Sequence, residues 1–183
     1  MTTIVTTTGS NYAAMSADRG VTSDVIHHDM PKIFVQGTWL IGASGDSRTC
    51  DIYAYGIKYP KVPKTLLDKP LDDWYRWIVL NVVPRLLNAL PKEDNDGEAI
   101  LITHGKAFYI ASNQSVTLAA PYWAIGSGGQ IALGSLAAMQ YDDDWHKNHD
   151  MKSKYAVSIA QMHDPATRGT IDTLISYHTG HIG

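Results

Sequence analysis

Met1-Thr2-Thr3-Ile4-Val5-Thr6-Thr7-Thr8-Gly9-Ser10-Asn11-Tyr12-Ala13-Ala14-Met15-Ser16-Ala17-Asp18 opens the chain. Residues 3–8 are almost all β-branched, a composition that favours extended backbone. Gly9-Ser10-Asn11 is a turn signal, and Tyr12 to Ala17 reads as a second strand running back. With the turn centred on Ser10, the pairing sets Thr2 opposite Asp18. Threonine is small, so the initiator methionine is open to removal, leaving Thr2 with a free α-amine. Such an amine has a reference pKa near ~8, so much of it is neutral at cellular pH and able to accept the hydroxyl proton of its own residue. A nearby carboxylate, here Asp18, completes a nucleophile centred on one terminal residue.

Composition bounds the rest. With 183 residues the chain is long enough for one domain, 1–183, with a core of its own. A 44% hydrophobic and 18% charged composition describes a globular protein, not a disordered one. The net charge of −3 argues against nucleic acid or an anionic membrane as the main partner. Cys50 is the only cysteine, which excludes an internal disulfide and points to a reducing, cytoplasmic setting. No run approaches the ~20 apolar residues that span a bilayer. The N-terminus lacks the basic and apolar segments of a signal peptide, so none is expected.

Further along, Lys32 to Gln36 and Trp39 to Gly42 read as a strand pair about Gly37-Thr38. Residues 55–65, with Pro60 and Pro63, read as a loop. Asp72 and Asp73 suit the first turn of a helix whose apolar positions run from Trp74 to Leu90, with Pro84 kinking or splitting it. Ala99 to Thr103 and Ala107 to Ile110 read as a hairpin. Short strands follow at Ser115 to Leu118 and Tyr122 to Ile125. A helix follows Gly126-Ser127-Gly128-Gly129, with Ser127 suited to cap it. Asp142-Asp143-Asp144 reads as a solvated loop. A third helix covers about 152–163, with Tyr155, Ile159 and Met162 on one stripe, and Thr170 to Tyr177 forms a last strand. This order gives α+β, with helices outside two facing antiparallel sheets.

Several residues carry candidate chemistry. Lys32 heads an apolar strand, where its charge, if held near Thr2, lowers the pKa values there. The small residues Gly42-Ala43-Ser44-Gly45 let a backbone N–H approach a carbonyl, as an oxyanion site requires. Gly126-Ser127-Gly128-Gly129 lacks the Gly-Lys-Ser/Thr of a phosphate loop, so nucleotide binding is discounted. His146-x-x-His149 and His178-x-x-His181 have spacings a metal accepts, but no His-Glu-x-x-His accompanies them, and no metal site is expected. The aromatic stretch Tyr53 to Tyr59 reads as packing or a subunit contact.

Taken in order, these positions resemble the proteasome β-subunit and HslV-type peptidases, a branch of the N-terminal nucleophile hydrolases. Thr2-Thr3-Ile4-Val5 is similar to the mature family terminus. Ala17-Asp18, followed by Thr22, resembles the first-hairpin acid and pocket-side threonine, and Lys32 the catalytic lysine. Leu40-Ile41-Gly42-Ala43-Ser44-Gly45 resembles the oxyanion strand, and Ala124-Ile125-Gly126-Ser127-Gly128-Gly129 the glycine-serine turn. His163-Asp164-Pro165-Ala166-Thr167-Arg168-Gly169 resembles the late acid-x-x-hydroxyl-glycine element. The chain departs from the pattern in a short Asp18–Lys32 linker, in Thr167 for the usual serine with Arg168 added, and in a stretched Asp46 to Asp51 segment.

The resemblance implies a four-layer αββα sandwich, the N-terminal nucleophile hydrolase fold, assembled into a homo-oligomeric ring or stacked rings. It implies a threonine-type endopeptidase that cuts unfolded polypeptides in a chamber, often fed by an ATPase ring, with no metal or cofactor. In that scheme Thr2 is nucleophile and base. Asp18 and Lys32 orient and tune it, Gly45 supplies the oxyanion N–H with Gly42 second, and Ser127, Asp164 and Thr167 support the amine. Val21, Thr22 and Ser47 line the substrate pocket. The rival reading is a non-catalytic ring, shell or assembly protein that retains Met1, because an amide-bound Thr2 nitrogen cannot act as the base. An amidase for small substrates is the third.

Overall fold

The computed structural model describes residues 2–22, 27–90, 96–141 and 148–183, without the side chains of Thr22, His27 and His28. The Asp142 to Asp144 segment lies outside the described residues. The chain begins with the hairpin of β1 (Thr3–Thr8) and β2 (Tyr12–Asp18). A short hairpin, β3 (Gly20–Thr22) and β4 (His27–Asp29), leads to β5 (Ile33–Gln36) and β6 (Trp39–Ser44). Then come α1 (Ser47–Asp51), a π-helical turn at Ile52–Gly56, a 3-10 turn at Lys64–Leu66, α2 (Leu71–Asn81) and α3 (Val83–Ala89). The second half runs β7 (Glu98–Thr103), β8 (Lys106–Ile110), β9 (Val116–Leu118), β10 (Tyr122–Gly126), α4 (Gly129–Met139), α5 (His149–His163) and β11 (Ile171–Tyr177).

One sheet has the order β10-β1-β2-β11 and the other β5-β6-β7-β8-β9, with every pairing antiparallel. Neighbouring residues on each central strand bury opposite faces, which is why these strands read as unbroken apolar runs. Ile4, Leu40 and Ile100 fill the space between the sheets with Met15 and Ile102. Val5, on the other face of β1, packs with Ala132 and Leu136 of α4 and Ala156, Val157 and Ala160 of α5. Ile41 and Leu101 face the opposite way, onto Tyr53, Trp74 and Ile78 and onto Leu86 of α3. The result is the expected four-layer αββα sandwich of α+β class.

Local chemistry accounts for the boundaries. Helices α2 and α3 part at Val82, and Pro84 occupies the first turn of α3, where a missing N–H costs no helical hydrogen bond. The β7–β8 turn is made by His104 and Gly105, with φ of 48° and 71°. Two positive φ angles form the two-residue turn whose twist matches antiparallel strands.

Four details differ from the sequence reading. The first hairpin is shifted by one residue: Ile4 pairs with Ala17, so Thr3 rather than Thr2 stands opposite Asp18. The bond from Gly9 N–H to the Tyr12 carbonyl sets that register. Helix α1 and the π-helical turn occupy residues 47–56, where no element was expected, and only Tyr55 and Gly56 fall within the expected 55–65 loop. Asp46 nucleates α1 by accepting the Thr49 N–H. Gly128, not Ser127, is the N-cap of α4. The stripe with Tyr155 and Met162 faces outward, and α5 instead buries Ser153, Ala156, Val157 and Ala160. Among the described residues, no helix is long and apolar enough to cross a membrane.

The start of β1, the end of β2, the lead into β5, the end of β6 and the segments after β10 and α5 supply one connected set of polar side chains.

Candidate active site

Asp18 is fully buried at the end of β2, and its carboxylate serves three donors. Oδ1 accepts the Thr3 N–H at 2.7 Å. Oδ2 accepts Lys32 Nζ at 2.8 Å and the Arg168 N–H at 3.2 Å. Lys32 is buried at the lead into β5 and also donates to the Gly20 carbonyl at 2.7 Å. Burial pushes the Lys32 pKa below the ordinary lysine value, while the hydrogen bond and charge of Asp18 oppose that fall. The ion pair bridges the two sheets, because Asp18 belongs to one and Lys32 leads into the other.

Thr2 is buried just ahead of β1. Ser127 Oγ donates to Asp164 Oδ2 at 2.7 Å and stands 3.4 Å from the Thr2 carbonyl oxygen. Thr167 Oγ1 donates to the same Asp164 oxygen at 2.7 Å, so the 2.5 Å contact between Thr3 and Thr167 hydroxyls has Thr3 as donor. The Ala166 N–H caps Asp164 Oδ1 at 3.0 Å. Burial raises the Asp164 pKa, but the bonds from Thr167, Ser127 and Ala166 outweigh it and hold the carboxyl below its ordinary value. Lys32, Asp18, Thr3, Thr167, Asp164 and Ser127 thus form one polar chain that returns to Thr2.

Gly126 makes this chain possible. Its φ is +88°, and a Cβ there lies 2.0 Å from the Thr2 carbonyl oxygen. Only glycine lets the turn after β10 approach the threonine backbone this closely. Gly45 follows β6 with φ +135°, and a Cβ on it lies 2.7 Å from the Gly97 Cα. Gly42 has a different reason to be small: a Cβ there meets Met15 Sδ at 2.8 Å and Ile4 Cγ2 at 2.9 Å, inside the packing between the sheets.

The remaining candidates surround this set without joining its hydrogen bonds. Val21 and Thr22 lie in β3, which begins at Gly20, the residue whose carbonyl accepts Lys32; the Thr22 side chain lies outside the described residues. Ser47 is the exposed first residue of α1. Burial raises the Cys50 thiol pKa to about 11, with Asp46 and Asp51 adding to the rise and Lys32 opposing it. Among the described residues, no group of three or more His, Cys, Asp or Glu side chains is placed to hold a metal. His146 and Met1 lie outside the described residues, whereas His149 is buried beside Tyr12. Tyr53 and Tyr59 are buried packing residues, whereas Tyr55 is exposed and edge-on to Phe34.

The fold has clear structural counterparts. BPH of Thiobacillus denitrificans superposes with a TM-score of 0.73 at 15% identity, over 96% of this chain and 97% of that one. The same protein in complex with epoxomicin gives 0.71 at 16% identity, over 96% and 98%. Eukaryotic HslV from Trypanosoma brucei gives 0.69 at 18% identity, over 96% and 99%. The chain has the fold of HslV. No protein-family model and no curated protein sequence matches it.

Sequence reasoning missed Thr3. Its backbone N–H holds Asp18 and its hydroxyl holds Thr167. The signal was present: a threonine that opens a strand buried on both faces must find partners for its hydroxyl. The shifted register concealed it.

Proposed function

We propose that this protein is a threonine-type endopeptidase of the proteasome and HslV kind, active once Met1 is removed and Thr2 carries a free amine. The observation that carries this reading is the polar chain from Lys32 through Asp18, Thr3, Thr167 and Asp164 to Ser127, whose Oγ stands 3.4 Å from the Thr2 carbonyl oxygen. In the reaction, the Thr2 α-amine takes the Oγ proton as Oγ attacks the peptide carbonyl. The oxyanion forms beside Gly45. The protonated amine then gives its proton to the leaving nitrogen, and an ester on Thr2 remains. Water, deprotonated by the same amine, hydrolyses that ester and restores the hydroxyl.

The other residues have supporting roles. Lys32 places a positive charge near the developing alkoxide. Asp18 fixes that charge and the Thr3 N–H together. Ser127 donates to Asp164, so its oxygen lone pairs remain available to receive the ammonium of Thr2. Val21, Thr22 and Ser47 line the pocket for the side chain before the cut. The substrates are unfolded polypeptides, cut in the cytoplasm within a closed homo-oligomer that an ATPase ring supplies. The counterpart bound to epoxomicin supports testing that compound here.

The test uses Met1-free protein with unfolded casein or a fluorogenic peptide, beside Thr2→Ala. A loss of at least ~10²-fold in the variant is expected. Equal rates would remove the enzymatic reading. Intact mass then decides for the scaffold alternative if every chain isolated from cells keeps Met1.

A further inference from the structure

The polar chain explains how Asp18 and Lys32 join the two sheets on one side of Thr2. A second connection lies on the other side. Strand β10 is the edge of its sheet, and the Gly126 N–H leaves that sheet to donate to Glu98 Oε1 at 3.0 Å. Glu98 is the first residue of β7, in the opposing sheet, and pairs directly with Ser44, the residue before Gly45. Its second oxygen, Oε2, accepts the Tyr109 hydroxyl at 2.9 Å. Tyr109 in turn lies against Trp123 of β10, with ring centroids 4.9 Å apart. Burial and the Glu98 hydrogen bond and charge raise the Tyr109 pKa to about 12, so the phenol remains a donor throughout the neutral range.

We propose that Glu98 is a positioning residue for the threonine site: it fastens the Gly126–Ser127 turn to the end of the oxyanion strand and so fixes Ser127 against Thr2. This rests on the reading of Thr2 as the nucleophile. A carboxylate that accepts a backbone N–H makes a charge-assisted bond, stronger than a neutral one. Without it, Gly126 at the sheet edge has lost its acceptor, and its φ of +88° is no longer held from that side. Ser127 follows directly and bonds to Asp164 at 2.7 Å. A displacement of about 1 Å in such a supporting group costs on the order of 10²-fold in rate.

The experiment compares Glu98→Ala, Glu98→Asp and Glu98→Gln in the full Met1-free protein, with Thr2→Ala as control. Hydrogen exchange, read by mass spectrometry on the 122–128 peptide, reports the connection without needing activity. Steady-state kinetics on a fluorogenic peptide report its consequence. In Glu98→Ala and Glu98→Asp, Gly126 should exchange roughly tenfold faster. Their kcat should fall by about 10- to 10²-fold with KM changed less than about threefold. Glu98→Gln keeps an oxygen for Gly126 and turns its NH₂ toward Tyr109, whose hydroxyl oxygen can accept, so it should remain within about threefold of wild type in both readouts. A Glu98→Asp arm preserves the test if Glu98→Ala does not fold. Unchanged exchange in both shortened variants overturns the proposal. So does wild-type kcat in a folded shortened variant, or a loss in Glu98→Gln as deep as in Glu98→Ala. If wild type itself shows no Thr2-dependent turnover, the peptidase reading fails, while the exchange arm still decides whether Glu98 holds the turn.

Discussion

Replacing Asp18 with asparagine removes one charge and one acceptor oxygen from a carboxylate that serves three donors. In the native site Oδ1 holds the Thr3 N–H, and Oδ2 holds both Lys32 Nζ and the Arg168 N–H. Asparagine has a single oxygen. Either its NH₂ points at the Thr3 N–H, or it points at Lys32 and Arg168, so one donor set meets another donor. The larger effect is electrostatic, because the Lys32 ammonium is left buried without its counter-charge. Removing one partner of a buried pair costs about 3–5 kcal/mol. Lys32 escapes part of that cost by losing its proton, since burial already lowers its pKa and Asp18 opposes the fall. Asp18→Asn removes the opposing contribution, so the pKa falls further. Between that lowered value and the ordinary 10.5, the unfolded chain binds more protons than the folded one, and stability rises with pH. The variant should therefore lose about 3–5 kcal/mol near neutral pH and regain part of it by about pH 10. Asp18→Asn/Lys32→Met should be less destabilised than Asp18→Asn alone. Urea unfolding at the two pH values measures all of this. A neutral-pH loss under about 1 kcal/mol, or a gap to wild type that does not narrow with pH, refutes the reasoning.

Three further outcomes follow from the same geometry. The alkaline limb of the pH profile for kcat/KM should fall below 10.5, because burial lowers the Lys32 pKa; a limb at or above that value assigns it to another group. Thr167→Ser keeps the hydroxyl between Thr3 and Asp164 and should retain activity within about threefold, whereas Thr167→Val leaves Thr3 Oγ1 without its acceptor and should cost about 1–3 kcal/mol in a urea melt. Gly126→Ala places a Cβ 2.0 Å from the Thr2 carbonyl oxygen, so kcat should fall by on the order of 10²-fold in chains that still fold, measured on a fluorogenic peptide.

Much of the sandwich was legible because its strands are buried on both faces. Leu40 and Ile41, or Ile100 and Leu101, are adjacent apolar residues that serve different layers, and the resulting runs are hard to mistake. Pro84 marked the α2–α3 break. Asp18 and Lys32 were each singled out around Thr2, and the structure brings their two side chains together. Other features depended on tertiary context. A one-residue shift in a hairpin changes which threonine faces Asp18, and the turn geometry that sets it involves Gly9 and Tyr12 rather than a strong two-residue signal. Ser127 has the composition of a helix cap, yet Asp164, distant in sequence, draws its hydroxyl away. Glu98 stands at the end of an apolar strand and carries no local signal, because its partner is a backbone N–H on the other sheet.

The claim on which these expectations converge is that the alcohol of residue 2 performs the attack, with its own nitrogen unblocked. Treating the purified protein with a short peptide that carries an electrophilic carbonyl at its C-terminus and mapping the modified peptide by mass spectrometry examines it directly. The account predicts a single adduct on a peptide that begins at Thr2, and none on Thr2→Ala. An adduct on another residue, or on a peptide that still carries Met1, contradicts it.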